Sequence, residues 1–381
     1  MAAAPPDILA VAAEKAAIAK PDISFVSDAV IREQIDYICR NIQNRAGVRL
    51  LLACVLAKVH RPELDIRKPY TEIGDDDAFS GRVYDERYLG PFINQHQLPC
   101  NPTTAFLTPA LRNRDFVLTP DVNLVGHPPK LYQAVLDLLT AIHETSVGPY
   151  DVLLETLRVL FVVKAERQQR MASLLAGLKT NTKEASIPLS AENIVTLIQQ
   201  HLNCRGTSRL PVLIVAAAYT AAEKCLGECA RKLQAHTAAD IATGALGDVE
   251  IMLVNDDKVV TSYEMKMRRV TREDIDHALD KINKSGLRVD NYIFITTDII
   301  EPQVAEYAAS LYEQGGGIEF VVLDCIGFLR HFLHLFHRLR QGFLDWYQEF
   351  VLSEPESAVR QELKEAFLAL RQAAESSTTA E

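Results

Sequence analysis

The chain has 381 residues, of which 48% are hydrophobic and 24% charged, with a formal net charge of −10. That length predicts one large domain or two ordinary ones with a sizeable core, and the composition excludes collagen-like, disordered and disulfide-scaffold classes. The acidic balance counts against a protein that wraps phosphate backbones, so any nucleic-acid contact must rest on local basic clusters such as "MKMRRVTR" (265–272).

Seven cysteines stand without a CxxC pair, which argues against a thiolate zinc site; Cys225 and Cys229 are expected on one helix face as core residues. The longest apolar stretch, Leu210 to Ala222, is shorter than the roughly 20 residues that cross a bilayer and reads as a buried helix. The N-terminal stretch has Asp7 and Glu14 within it and no basic residue before its apolar part. It makes a poor secretory or transit signal, and the expected compartment is the cytoplasm.

In chain order, helical spacing runs from Pro21 to about Leu64 through Ile31, Ile35, Ile38 and Ile42, then Val48, Leu51, Leu52 and Val55, predicting two helices. Residues 65–115 are polar and rich in turn formers, yet hold Tyr70, Phe79, Tyr84, Tyr88, Phe92 and Phe106, which favours an ordered loop. Helical periodicity returns over 130–146 and 149–179. Residues 180–193 read as a linker, with Ser190, Glu192 and Asn193 marking a fresh helix start.

The second half changes pattern. Helices near 192–202 and 209–235 precede β-type runs at Val249–Asn255 and Val259–Met267, a helix at about 271–286, and a strand at Asn291–Thr297. A helix at about 301–314, a strand at Ile318–Leu323 and a helix at about 325–352 come next. The predicted fold class is α+β or α/β: a mainly helical N-terminal domain (1–189), a mixed sheet flanked by helices (190–354), and a C-terminal helix with a polar tail (355–381).

One hairpin gathers chemistry. Asp248 precedes its first strand, and Glu264 and Lys266, two apart on the second, point to the same face while Met265 points to the other. Two carboxylates and the Met265 backbone carbonyl form an oxygen donor set suited to Mg²⁺. A lysine beside such an ion suits phosphodiester hydrolysis. Glu250 is a spare acid two residues beyond Asp248. The same residues on a hairpin also occur as ordinary cross-strand charge pairs.

The surroundings of the hairpin add to this. Asp248 in "LGDVEI" leading to Glu264 and Lys266 in "YEMK", between helices and before a strand, resembles the PD-(D/E)XK nuclease superfamily. "FSGRVYDERYLGPFI" (79–93), "LPCNPTTAFLTPALRN" (98–113) and residues 247–282 resemble the SacI type of type II restriction endonuclease. The resemblance implies a PD-(D/E)XK core with Asp248, Glu264 and Lys266 as catalytic residues, and it extends the site to a helical glutamate, Glu223 or Glu228. Gly247 stands where the superfamily's motif has proline.

The resemblance also implies Mg²⁺-dependent cleavage of double-stranded DNA within a short palindrome, of the GAGCTC kind, by a homodimer whose symmetry mirrors the site. A cognate DNA methyltransferase is the implied genetic partner. Arg82, Asp85, Arg112 and Asn113 on the 65–115 segment are the expected base readers, and Arg268, Arg269 and Arg272 the expected phosphate contacts. The alternatives are a structure-specific or repair nuclease of the same fold, and a non-catalytic helical interaction protein.

Overall fold

A computed structural model describes residues 3–19, 23–181, 188–233 and 245–377. The chain divides into two compact units, Met1–Gln169 and Arg170–Glu381. The division falls inside one long helix, not at the linker expected near 190. Met171, Leu174, Leu175 and Leu178, at the end of that helix, pack into the second core. Residues 182–187 of that expected linker lie outside the described residues.

The first unit is helical: α1 (Pro5–Ile18), α2 (Ala29–Arg40), α3 (Ala46–His60), a continuous helical run inside the expected 65–115 loop, made of α4 (Gly81–Val83), a π-helical stretch (Tyr84–Leu89) and α5 (Gly90–His96), then α6 (Pro129–His143) and the first part of α7 (Pro149–Asn181). Asp28 caps α2 by accepting from the Val30 and Ile31 N–H groups. Every residue of α3 from Ala46 to Ala57 is buried, because neighbours surround it on all sides. The 65–115 segment is ordered, as its aromatics suggested: Tyr70, Phe79, Tyr84, Phe92 and Phe106 are all buried in this core.

The second unit opens with α8 (Ala191–Leu202), capped by Ser190, whose hydroxyl accepts from the Asn193 N–H at 3.1 Å. Then come α9 (Leu210–Leu226), β1 (Glu228–Ala230), β2 (Val249–Leu253), β3 (Val259–Lys266), α10 (Arg272–Ser285), β4 (Asn291–Thr296), α11 (Pro302–Ser310) and β5 (Glu319–Asp324). Helices α12 (Cys325–Leu335), α13 (Arg340–Ser353) and α14 (Gln361–Ser377) complete it. The helix expected at 209–235 stops at Leu226, where Gly227 takes a left-handed φ of 68° and ends it. Cys229 therefore lies on β1, not on a helix face shared with Cys225. Nor do residues 355–377 form a separate piece, since Phe367 and Leu368 of α14 are fully buried in the second core.

The five strands lie in sequence order, β1–β2–β3 antiparallel and β3–β4–β5 parallel. The sheet is thus mixed, as expected. Alternation gives it two apolar faces. Val249, Ile251, Tyr263 and Ile295 share one core with α8, α9, α12, α13 and α14. Tyr292, Phe294, Phe320 and Val322 share the other with α10 and α11. Because Glu264 pairs with Phe294, and Val249 with Tyr263, the acidic side chains of β2 and β3 project on the α10 side.

Candidate active site

The site is built where β2 and β3 emerge beside the start of α10. Gly247 presses on β3 so closely that a Cβ there would lie 2.5 Å from the Tyr263 carbonyl oxygen and from Ser262 Oγ. A proline carries the same Cβ, which accounts for glycine at this position.

Asp248 is the next residue. Its N–H donates to the Tyr263 carbonyl at 2.7 Å, and its Oδ2 accepts from the Met265 N–H at 2.7 Å. The carboxylate is therefore tied to the strand that carries Glu264 and Lys266, and its side chain stays exposed. Lys266 Nζ donates to Glu264 Oε1 at 3.0 Å and stands 3.6 Å from Asp274 Oδ1. All three side chains named from the hairpin pattern converge.

Electrostatics fit a cation. Burial pushes the Glu264 carboxyl above its usual range and the negative charge of Asp248 pushes it further, while Lys266 and Lys281 pull it back. Two carboxylates that repel across a half-buried space gain from a divalent ion between them. Among the described residues no group of three or more His, Cys, Asp or Glu is placed to hold a metal. Two carboxylates with a backbone carbonyl and solvent oxygens suit Mg²⁺, which keeps several waters, and do not suit a four-ligand structural zinc site.

The spare acids have other places. Glu250 is buried and occupied, its Oε1 accepting from the Leu246 N–H at 2.8 Å and its Oε2 from Arg231 Nη1 at 2.9 Å. Glu223 is an exposed residue of α9, the helix that covers the opposite face of the sheet, where the Tyr219 hydroxyl meets that of Tyr263 at 2.9 Å. Glu228 lies on β1.

Asp274 is the residue that pattern reading missed. It is the third residue of α10 and forms a capping box with Thr271. Arg268 grips it with two nitrogens at 2.7 and 2.8 Å. Although burial opposes it, hydrogen bonds from Arg268 and Thr271 hold the Asp274 carboxyl down at about 2. The signal was present as "TRED", a hydroxyl residue three before an acid.

The expected DNA-facing residues sort unevenly. Asp85 is fully buried, paired with Arg49 and accepting from Thr104 Oγ1 at 2.6 Å and the Ala105 N–H at 2.7 Å, so it braces the 100–105 loop and presents nothing to a base. Arg82 is exposed and pairs with Glu86 at 2.8 Å. Arg112 and Asn113 are exposed on a turn where Asn113 has a φ of 54°. Arg269 pairs with Glu301 at 3.0 Å, and the Arg272 guanidinium lies 5.1 Å over the Tyr307 ring.

The two strands that present this acid, acid and lysine set, β2 and β3, lie within a stretch, residues 187–297, that matches a restriction endonuclease domain, a class that acts on DNA. The matching family is the SacI restriction endonuclease C-terminal domain, and the match covers less than a third of the chain. The match runs through β4 and contains Asp248, Glu264 and Lys266. No curated protein matches the chain. No helix among the described residues is long and apolar enough to cross a membrane.

Proposed function

We propose that the protein is a Mg²⁺-dependent type II restriction endonuclease whose catalytic residues are Asp248, Glu264 and Lys266. The observation that carries this reading is the joining of Asp248 to the Glu264 and Lys266 strand, through the 2.7 Å bond to the Met265 N–H, inside the matched domain. Helix α9, the antiparallel strands, α10 and β4 come in the order of a PD-(D/E)XK core.

Asp248 and Glu264, with the Met265 carbonyl, would hold the ion. Bound there, Mg²⁺ would acidify a water and offset charge on the scissile phosphate. Lys266 supplies the rest: its ammonium, held by Glu264 and Asp274, donates to the attacking oxygen and to the phosphoryl oxygens as negative charge builds. With its charge shared by a bound cation, Glu264 would hold Lys266 less tightly, and the ammonium would remain oriented by Asp274 at 3.6 Å.

Cleavage within a short palindrome by a homodimer belongs to the same proposal, as does a methyltransferase that protects the host's own sites. Arg82, Arg112 and Asn113 remain the proposed base readers, being exposed; Arg268, Arg269 and Arg272 are the proposed phosphate contacts. The test is incubation with phage DNA and Mg²⁺, with and without chelator. Discrete fragments that vanish with chelator and in Lys266→Ala support the proposal. Smears or cuts confined to branched DNA select a structure-specific nuclease instead, and no cleavage with any divalent metal overturns both.

A further inference from the structure

Two side chains outside the catalytic set close on one stretch of backbone, that of Leu246, two residues before Asp248. Glu250 Oε1 accepts from the Leu246 N–H at 2.8 Å. Its Oε2 is held by Arg231 Nη1 at 2.9 Å, and the Arg231 N–H donates to the Glu250 carbonyl at 2.8 Å. From the other side the Tyr292 hydroxyl donates to the Leu246 carbonyl at 2.8 Å. The same hydroxyl oxygen stands 3.4 Å from Glu264 Oε2. Both side chains are buried, Glu250 at 6% and Tyr292 at 1% exposure, so neither bond is shared with bulk water.

We infer that Glu250 and Tyr292 are positioning residues that clamp Leu246 from both sides and thereby set the Asp248 carboxylate opposite Glu264. The inference rests on the proposed metal-dependent site and gives Glu250 a role other than ligand. The mechanics are local. The loop enters β2 through Leu246, Gly247 and Asp248; with Leu246 held at both its N–H and its carbonyl, and Asp248 held at its N–H, little rotation remains before the carboxylate. Tyr292 links the two halves of the site, since it lies on β4 in register with Ser262 and reaches both the Asp248 loop and Glu264. Buried partners that orient metal ligands are worth about 10–100-fold in metal affinity or activity when removed.

The experiment uses the full chain with Tyr292→Phe, Glu250→Ala and Glu250→Gln. Mg²⁺ is titrated by calorimetry without DNA, kcat and KM are measured on phage DNA, and amide exchange is tracked along β3, where the Met265 N–H reports on Asp248. Tyr292→Phe and Glu250→Ala should weaken Mg²⁺ binding and kcat by about 10–100-fold, leave KM for DNA nearly unchanged, and speed Met265 exchange. Glu250→Gln, whose amide oxygen still accepts from Leu246, should recover most of the loss. Unchanged Met265 exchange and Mg²⁺ affinity in both variants overturns the inference, as does exchange that rises equally through β4 and β5, which is plain destabilisation. A wild-type chain that binds no Mg²⁺ while Met265 exchange still rises in Tyr292→Phe overturns the nuclease reading and leaves the clamp standing.

Discussion

Replacing Gly247 by alanine tests how the site is placed. The added methyl would start 2.5 Å from both the Tyr263 carbonyl oxygen and Ser262 Oγ, and 3.0 Å from the Tyr263 carbonyl carbon. Ordinary contact needs about 3.5 Å, so the loop and β3 must part by about an ångström. That shift falls on the Asp248 N–H bond to Tyr263, the bond that seats the carboxylate. Overpacking of this kind costs about 1–3 kcal/mol. In a unit of this size each kcal/mol lowers Tm by about 2–4 °C. Misplacement of a catalytic group by an ångström costs about 100-fold in rate. Gly247→Ala should therefore fold, melt a few degrees lower, and lose far more cleavage and Mg²⁺ affinity than its stability loss explains. Differential scanning fluorimetry beside a cleavage assay reads both. Wild-type activity in Gly247→Ala would refute the reasoning, because the close approach would then have no bearing on Asp248.

Glu264→Gln should raise the Tm of the metal-free protein at neutral pH: a carboxyl whose folded pKa is raised contributes stability below its unfolded value and loses it as pH rises through the folded one. The advantage of the variant should vanish on acidification, and a wild type that is the more stable at pH 7 in chelator would contradict this. His201, buried between the Tyr347 hydroxyl and the Leu363 carbonyl at 3.0 Å each, has its pKa lowered by burial to about 4. The sign is opposite. Its contribution is present above about pH 6.5 and is lost as pH falls towards 4, by about 2–3 kcal/mol at pH 4.5; urea unfolding should show His201→Gln losing less over that range. Asp85→Ala strands the buried Arg49 charge and should cost about 3–5 kcal/mol, with Asp85→Ala plus Arg49→Met recovering much of it. A change in DNA sequence preference without loss of stability would return Asp85 to the reading surface.

The site was legible as far as alternation carries. Strand geometry alone puts Glu264 and Lys266 on one face two residues apart, and the pairing of β2 with β3 brings Asp248 beside them as the hairpin pattern required. Asp85 shows the opposite limit. Its neighbours Arg82 and Glu86 are exposed while it is not, and the irregular, turn-rich sequence around it has no period from which burial can be read. Tyr292 was equally hidden, since a tyrosine in a β-branched strand reads as core until the loop carbonyl it meets, 46 residues away, is in place.

By itself the sequence determined the helical first half, the mixed order of the second, the capped start of α8, and the three residues of the catalytic proposal, because each is written in local periodicity or spacing. Only the tertiary structure decided that the units divide inside α7, that Asp85 is buried against Arg49 and Glu250 against the Leu246 N–H, and that Gly247 has no room for a side chain because atoms of β3 lie 2.5 Å from where a Cβ would be. Those outcomes depend on which distant backbone approaches a residue, and no local pattern records that distance.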